Sequence, residues 1–317
     1  MISGARITVT VPAHNEGRLI EQTIHSIPLS VDRIIVVDDA STDDTTAKVE
    51  KLKDDRIQLI RREKNGGVGA AIVTGYRAFL EDGGDICVVM AGDAQMDPAD
   101  LEPLIAPIVD GKADYAKGNR LITADVRAVM PKGRFVGNIV FTMLTKIASG
   151  YWHVVDSQCG YAAISRETLG LLDLDSVYDR YGVPNDLLIK LNVIQARVCD
   201  VPVRAIYDEE VSGINPWTAI PKISFLLLRG FWWRMWQRYV LRDFHPLVLL
   251  YCFGSLFSMV GFAGAIWIAC LRLFIDQAVT FPTVMGVAIF LIVGIQSLLF
   301  AMTFDMLHNN DLRVRAK

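Results

Sequence analysis

Short runs of apolar, mostly β-branched residues alternate with helical patterns over the first part of the chain. The apolar runs are Ile7–Val11, Arg33–Val37, Ile57–Ile60 and Ile86–Met90, and the helical patterns are Arg18–Ser26, Thr42–Leu52 and Val68–Asp82. Strands that alternate with helices favour a mostly parallel sheet that is covered by helices on both faces. We therefore predict an α/β domain over residues 1–215.

Two long uncharged runs follow, Pro246–Leu271 and Ala278–Phe304. Each is longer than the roughly 20 apolar residues that a helix needs to cross a bilayer. They account for the high hydrophobic fraction of 52% and the mean hydropathy of +0.32. Two buried core helices are the alternative, but core helices rarely stay uncharged for so long. The pattern predicts a transmembrane hairpin over residues 246–317.

The segment between these parts, residues 216–245, is rich in tryptophan and arginine. At helical spacing Arg234 and Arg238 fall on one face, and the opposite face is apolar: Phe225, Leu228, Trp232, Met235, Trp236 and Tyr239. An amphipathic helix of this kind typically lies in the headgroup layer of a membrane. Packing of its apolar face against the α/β domain is the alternative.

Basic residues predict the orientation of the hairpin. Arginines precede the first run and follow the second, whereas the connecting turn from Arg272 to Phe281 carries only one. By the positive-inside rule we expect the α/β domain and both termini to be cytoplasmic. The chain opens directly into a strand, which indicates no signal peptide. Its five cysteines form no Cys-x-x-Cys pair, as expected in a reducing compartment. A net charge of -3 argues against a general attraction to nucleic acid.

Polar residues follow each of the four predicted strands. Each group alone could be a helix cap or a turn. The carboxyl ends of parallel strands lie along one edge of a sheet, however, and open α/β sheets bind their ligands there. The four groups are Pro12-Ala13-His14-Asn15-Glu16, Asp38-Asp39, Asn65-Gly66-Gly67 and Asp93-Ala94-Gln95. Together they predict a ligand site.

The types of these residues favour a nucleotide. The glycine segment has neither the dinucleotide-binding spacing nor the Walker A sequence. Asp38 or Asp39 could accept a hydrogen bond from a base, and Glu16 from a ribose hydroxyl. Acids alone would repel a diphosphate, so a cation has to bridge. Asp93 and the amide oxygen of Gln95 suit Mg²⁺, which takes one or two protein oxygens and completes its shell with phosphate and water.

The same segments resemble those of the family 2 glycosyltransferases, and within them the polyprenyl-phosphate (dolichyl-phosphate) hexosyltransferases. The resemblance covers roughly residues 5 to 215. It implies a GT-A fold, a nucleotide sugar donor, a polyprenyl phosphate acceptor, and Mg²⁺ or Mn²⁺. The donor-binding positions that it implies are Pro12, His14, Glu16, Asp38, Asp39, Gly67 and Asp93, with Asp93 and Gln95 at the metal. Two positions depart from the family pattern: Ala91 replaces the first aspartate of an Asp-x-Asp motif, and His14 replaces a frequent tyrosine.

Downstream residues resemble the acceptor-phosphate site of the same family. That site has two arginines fourteen residues apart and a small polar residue one helical turn after the second, as do Arg120, Arg134 and Asn138 here. On a helix, Arg134 and Asn138 would share a face, and guanidinium groups suit phosphate oxygens. Ordinary surface arginines are the alternative.

The resemblance also implies roles for residues near the reacting centre. Asp156 and Asp186 match family positions there, and one of them would act as general base if the acceptor were a hydroxyl. Asp186 could instead be a helix N-terminal acid. The segment Tyr207–Ile214 is similar to an acidic-then-serine loop over the donor, which implies Glu210 and Ser212.

These observations predict a membrane-anchored, inverting glycosyltransferase that moves a hexose from a nucleotide diphosphate sugar to a polyprenyl phosphate. A family 2 enzyme with a hydroxyl acceptor, such as a glycolipid or polysaccharide, is the nearest alternative. A non-catalytic membrane scaffold is a more distant one, suggested by Ala91. The sequence leaves the sugar, the base and the formation of a homo-oligomer open.

Overall fold

The computed structural model describes residues 1–2, 4–122, 132–204, 206, 216–275 and 277–315, with the backbone alone at 132–136, 216–219 and 315. Two compact units divide the chain. We call them the sheet unit, Met1–Trp232 with the chain from Asp311 onward, and the hairpin unit, Trp233–Asn310. The division falls at Trp232, inside the predicted juxtamembrane segment.

Strands and helices alternate through the sheet unit, as the hydrophobic pattern predicts. The strands are β1 Ile7–Ala13, β2 Arg33–Asp38, β3 Ile57–Arg61, β4 Ile86–Val89, β5 Tyr115–Asn119, β6 Ala162–Ser165, β7 Val198–Pro202 and β8 Arg313–Arg315. The helices are α1 Ile20–Ser26, α2 Thr45–Lys51, α3 Val68–Asp82, α4 Leu101–Val109, α5 Lys132–Ser149, α6 Arg166–Gly170, α7 Val183–Val193 and α8 Pro216–Trp236. The four predicted strands and three predicted helices are confirmed, with ends that shift by up to three residues.

The described strands form one sheet in the order β3-β2-β1-β4-β6-β5-β7-β8. Strand β6 runs antiparallel to both of its neighbours, and the other pairs are parallel, so the sheet is mostly parallel as predicted. The chain moves outward from β1 through β2 to β3 and then returns to place β4 on the other side of β1. This reversal opens a crevice beyond the carboxyl ends of β1 and β4, the usual ligand position in such sheets.

Alternate strand residues point into two cores, one on each face of the sheet. Ile34 and Val36 of β2 pack in the core that α1 and α4 cover, whereas Ile35 and Val37 pack in the core under α3 and α7. Helix α3 lies close to β1, because a Cβ at Gly75 would come 2.1 Å from Thr10 Cγ2. This close packing brings the first turn of α3 to the same crevice.

The chain returns to the sheet unit after the hairpin. Strand β8 pairs parallel with β7, with Val198 opposite Arg313 and Asp200 opposite Arg315. The sequence pattern did not predict this edge strand, since three residues carry too little alternation to indicate a strand.

The hairpin unit contains two long apolar helices, α9 Leu247–Phe274 and α10 Phe281–His308, which could span a membrane by length and composition. Small residues bring the two helices together: a Cβ at Gly294 would lie 2.4 Å from Ser258 N, and one at Gly261 2.8 Å from Leu291 N. Close backbone approach at glycine is typical of membrane helix pairs. Large apolar side chains on the other faces, such as Phe262 at 55% and Leu299 at 58%, remain exposed.

The prediction that the arginine face of the juxtamembrane segment is exposed to headgroups is wrong at two arginines. Arg234 and Arg238 are buried at 0% and 4% exposure instead of facing headgroups. Both Nη atoms of Arg234 donate to the carboxylate of Asp305 at 2.9 Å, and Arg238 donates to Asn309 Oδ1 at 2.7 Å. A buried guanidinium needs a paired acceptor, and the acceptors come from the end of α10, about seventy residues downstream.

Candidate active site

A cleft lies at the carboxyl edge of the sheet, beside β1 and β4. It is formed by the residues after β1, β2 and β4, by the start of α3, and by the loop before α7. Its lining residues are Pro12, Ala13, His14, Glu16, Asp39, Asn65, Gly67, Val68, Ala71, Ala91, Gly92, Asp93, Arg180 and Tyr181. The structure therefore brings together six of the predicted donor-binding residues: Pro12, His14, Glu16, Asp39, Gly67 and Asp93.

Asp39 is held by hydrogen bonds at the base of the cleft. Its carboxylate accepts from the backbone N–H of Gly66 at 3.0 Å and of Gly67 at 2.7 Å, and from the Arg62 guanidinium. The carboxylate is 3% exposed. Asp39 therefore both fixes the glycine segment and keeps a charge beside the cleft, which Arg62 offsets.

Asp38 does not line the cleft. It is 4% exposed, and its carboxylate accepts from Ser41 N at 2.9 Å and from the Thr46 hydroxyl. These bonds tie the end of β2 to the start of α2. Asp38 thus shapes the loop that precedes α2, and Asp39 is the aspartate placed to meet a ligand.

The His14 ring is hydrogen-bonded to three neighbours, Asp39, Asn65 and Asn15. Its Nδ1 lies 2.9 Å from the carbonyl oxygen of Asp39, which can only accept, so Nδ1 carries the proton. Its Nε2 then accepts from the side-chain amide of Asn65 at 3.0 Å. Asn65 also lines the cleft, and the sequence analysis did not assign it a role of its own.

Three loops at this edge hold a non-glycine residue at positive φ. They are Asn15 at 58° after β1, Ala40 at 57° after β2 and Ala94 at 56° after β4. A left-handed backbone at a non-glycine residue is strained and is common where loops shape a binding site. The tight turn at Ala94 carries Asp93, whose Oδ1 accepts from Gln95 N at 3.1 Å.

The candidate acceptor residue Arg120 forms a buried ion pair with Asp156. Its Nε donates to Asp156 Oδ2 at 2.8 Å, its Nη2 to Oδ1 at 3.2 Å, and its backbone N–H to Oδ2 at 3.2 Å. Asp156 is fully buried, whereas the Arg120 side chain is 17% exposed. Burial alone would raise the pKa of Asp156, but the charge and hydrogen bonds of Arg120 outweigh it and lower that pKa.

A second layer of charge lies behind this pair. Lys117 on β5 is fully buried and donates to the carbonyl oxygen of Cys159, and Asp200 on β7 accepts from Asn119 Nδ2 and from Val155 N. Burial lowers the pKa of Lys117 and raises the pKa of Asp200 to about 6. The sequence analysis missed Lys117 and Asp200, because neither stands in a recognisable motif.

Helix α5 carries the other two candidate acceptor residues. Arg134 lies in its first turn, with its side chain outside the described residues, and Asn138 is half-buried one turn later. A further turn along, the Thr142 hydroxyl lies 3.3 Å from that of Ser157, the neighbour of Asp156. This contact joins α5 to the segment that holds Arg120.

Asp186 lies in the first turn of α7 and does not line the cleft. Its Oδ2 accepts from Tyr178 N at 2.9 Å and lies 3.6 Å from Lys190 Nζ. Burial raises its pKa, and the charge of Lys190 partly opposes that rise. In this arrangement Asp186 holds the loop before α7. Glu210 and Ser212 lie outside the described residues.

Two cleft residues were not found by the sequence analysis. Arg180 and Tyr181 belong to the segment Tyr178–Gly182, which we call the donor loop. The available signal was the glycine segment itself, since Gly67 and Gly69 are the places where the donor loop makes its closest approach to α3.

The sequence model of glycosyl transferase family 2 matches residues 8–171, which is more than half of the chain. The chain belongs to this family. Its predicted membership is thereby confirmed, and the matched region contains the residues after β1, β2 and β4 that line the cleft.

Two curated relatives are similar over most of their length. The UDP-N-acetylglucosamine–dolichyl-phosphate N-acetylglucosaminyltransferase of Methanococcus voltae is 30% identical over 64% of this chain and 86% of its own. The polyprenol monophosphomannose synthase of Mycolicibacterium smegmatis is 30% identical over 71% of this chain and 88% of its own. Both names contain a polyprenol-type lipid.

A structurally similar solved protein is glucosyl-3-phosphoglycerate synthase from Mycobacterium tuberculosis, in complex with Mn²⁺, UDP and glucosyl-3-phosphoglycerate. It is 26% identical, has a TM-score of 0.54, and is covered over 80% of its length by 73% of this chain. The structural similarity to this solved protein confirms the predicted GT-A fold.

A divalent cation would need ligands from the donor itself. Among the described residues, no group of three His, Cys, Asp or Glu side chains is arranged to hold a metal. Ala91, in place of the family's first aspartate, lines the cleft and donates its N–H to Met96 Sδ. The residues present thus fit a cation that takes Asp93 from the protein and further oxygens from a diphosphate and water.

Proposed function

We propose that this chain transfers a sugar, with inversion, from a nucleoside diphosphate sugar to the phosphate of a polyprenyl phosphate at the cytoplasmic membrane face. The observation that carries the proposal is the commitment of Asp156 to Arg120 through three hydrogen bonds. A carboxylate held in this way, with a lowered pKa, is a poor general base. A phosphate acceptor needs no base, because it is already anionic at neutral pH.

The donor would occupy the cleft. Asp39 and Glu16 are suited to accept from the base and the ribose, and His14 and Asn65 close the same side. Asp93, with the amide oxygen of Gln95 as a second ligand, would hold Mg²⁺ or Mn²⁺ together with oxygens of the diphosphate. The bound cation would neutralise the diphosphate as the leaving group departs.

Arg120 would bind the acceptor phosphate, with Arg134 and Asn138 from α5 as further ligands. Two anions repel each other, so their approach requires positive charge on the acceptor side. Asp156 fixes the guanidinium of Arg120 but does not bury all of it, since 17% of the side chain is exposed. Solvent reaches this exposed part of the guanidinium side chain, and an arginine has five N–H donors in all.

The hairpin would hold this chemistry at the bilayer. Chain segments of the sheet unit precede α9 and follow α10, and β8 pairs with β7. These connections support a topology in which both ends of the hairpin lie on one face, and the basic residues favour the cytoplasmic face. Exposed aromatic side chains of α8, such as Phe225 and Trp236, support contact with the headgroup layer.

The test uses purified full-length protein in detergent with labelled UDP-N-acetylglucosamine, UDP-glucose or GDP-mannose, and Mg²⁺ or Mn²⁺. Undecaprenyl phosphate and dolichyl phosphate are compared with undecaprenol, a matched lipid that offers only a hydroxyl. We expect one donor to give a lipid-linked product with the phosphates alone, with inverted configuration by nuclear magnetic resonance. Transfer to undecaprenol, or no transfer to either phosphate, would contradict the proposal.

A further inference from the structure

Arg180 lies at the cleft with an uncommitted side chain. Arg180 is exposed, and its side chain makes no hydrogen bond or ion pair with the described residues. The other arginines of the site differ in this respect, since Arg62 pairs with Asp39 and Arg120 pairs with Asp156. A positive charge in a cleft without a protein partner suggests an anionic ligand.

The backbone that carries Arg180 is fixed, although its side chain is not. The carbonyl oxygen of Asp179 accepts from Ala70 N at 3.0 Å, at the start of α3. On the other side, Tyr178 N donates to the buried carboxylate of Asp186, and Val183 N donates to the carbonyl oxygen of Arg180 at 2.9 Å. Hydrogen bonds to α3 and α7 therefore hold the donor loop at the mouth of the cleft.

Glycine at two positions permits this approach. A Cβ at Gly69 would lie 2.1 Å from the Tyr178 carbonyl oxygen, and one at Gly67 would lie 2.8 Å from that of Asp179. Backbone atoms cannot move aside as the end of a side chain can. Gly67 and Gly69 thus allow the donor loop, which carries Arg180, to pack closely against the start of α3.

The charges of the cleft show what Arg180 is suited to bind. Its carboxylates come from Glu16, Asp39 and Asp93, and among the lining residues described Arg180 is the one lysine or arginine. A nucleoside diphosphate brings further negative charge to this acidic surface. One divalent cation held by Asp93 would offset part of that charge, and a guanidinium is well suited to the remaining phosphate oxygens.

We propose that Arg180 binds the diphosphate of the donor and stabilises it as the leaving group, a role that rests on the proposed function. In the transfer, an acceptor phosphate oxygen forms a bond to the anomeric carbon. The bond from that carbon to the β-phosphate oxygen breaks, and its electron pair stays on that oxygen. The nucleoside diphosphate thereby gains one negative charge and the acceptor phosphate loses one. The guanidinium of Arg180 stabilises the negative charge that develops on the nucleoside diphosphate in the cleft.

The experiment compares Arg180→Gln and Arg180→Lys with wild type, in full-length protein in detergent with Mg²⁺. Arg61→Gln is the matched control, since Arg61 is 53% exposed and pairs with Glu50. Calorimetry measures the Kd of UDP and GDP, and turnover measures KM for the donor and for undecaprenyl phosphate. Thermal unfolding verifies that each variant is folded.

For Arg180→Gln we expect the Kd of the nucleotide that binds wild type to rise about 10- to 100-fold. This range follows from a hydrogen bond to a charged group, about 1.5–3 kcal/mol, with each 1.4 kcal/mol a factor of ten. The Kd for Arg180→Lys should lie between those for wild type and Arg180→Gln, because a point charge replaces a two-pronged donor. Arg61→Gln should match wild type, and KM for the lipid should stay unchanged in every variant.

A Kd within about two-fold of wild type for Arg180→Gln would overturn this role while the proposed function stands. A rise in KM for undecaprenyl phosphate with an unchanged nucleotide Kd would also overturn it, because Arg180 would then bind the acceptor. If wild type bound neither UDP nor GDP and transferred no sugar, the proposed function would fail and this role with it.

Discussion

Replacing Asp156 with asparagine distinguishes a role of Asp156 in positioning Arg120 from a role as general base. Asparagine keeps the shape of the side chain and one acceptor oxygen, but it removes the charge opposite Arg120. In the native protein both carboxylate oxygens accept from the Arg120 side chain, and the carboxylate is fully buried. We expect the variant to bind the acceptor phosphate less well because Arg120 is no longer held in one orientation.

The size of the effect follows from the burial of the pair. Hydrogen bonds to charged groups contribute about 1.5–3 kcal/mol, and removing one partner of a buried pair outright costs about 3–5 kcal/mol. Asp156→Asn should therefore lower the free energy of unfolding by about 1.5–3 kcal/mol, and Asp156→Ala by somewhat more. At roughly 2–4 °C per kcal/mol for a domain of this size, the asparagine variant should lose on the order of 3–12 °C in Tm.

The pH dependence has a defined sign. The folded-state pKa of Asp156 lies below the ordinary aspartate value of 3.8, so its ion pair stabilises the protein fully above that value. The stability is lost as the pH falls through the lowered pKa. The Tm difference between wild type and Asp156→Asn should thus be constant near neutrality and should shrink in acid.

The kinetic assay varies undecaprenyl phosphate at saturating donor. We expect KM for the lipid to rise about tenfold or more, while kcat falls much less and its pH profile is unchanged. Asp110→Asn is the control, because Asp110 is 53% exposed and pairs with Lys112. A loss in kcat on the order of 10²–10⁴ at saturating lipid, with an unchanged KM, is the signature of a missing general base and would refute the reasoning.

Three further substitutions test other parts of the structure. Gly69→Ala should raise the donor KM and lower stability by about 1–3 kcal/mol, because the added methyl would meet the donor-loop backbone; Gly170→Ala, which has open space around it, should be nearly neutral. Asp200→Asn should stabilise the protein near pH 7 relative to wild type. Because the pKa of Asp200 is raised to about 6, wild type loses stability as the pH rises from about 4 through 6, by up to about 3 kcal/mol. A Tm difference between wild type and Asp200→Asn that does not change with pH would contradict this. Asp305→Ala should destabilise the hairpin unit by about 3–5 kcal/mol, since Arg234 would stay buried without its acceptor, and a pair of apolar replacements at both positions should recover much of the loss in detergent thermal-unfolding assays.

Local patterns in the sequence were sufficient to predict the first half of the sheet and its ligand edge. Strands β1 to β4 are short apolar runs between helical patterns, so their identity depends on neighbouring residues alone. Parallel strands then place their carboxyl ends along one edge, which is why Glu16, Asp39 and Asp93 could be grouped without coordinates. The two apolar helices were evident from length and charge for the same reason.

Tertiary structure decided which charges meet. Arg120 pairs with Asp156 across thirty-six residues, and Arg234 pairs with Asp305 across seventy-one. No local pattern encodes such a partner, so the sequence left Asp156 as one of two candidate bases for a hydroxyl acceptor and suggested a headgroup-facing side chain for Arg234. Arg180 lies at the cleft because glycines at the start of α3 allow the close approach of a loop from more than a hundred residues downstream. Strand and helix patterns depend on a few adjacent residues, so the sequence by itself could determine them. Burial and charge pairing depend on the whole fold, so only the tertiary structure could determine them.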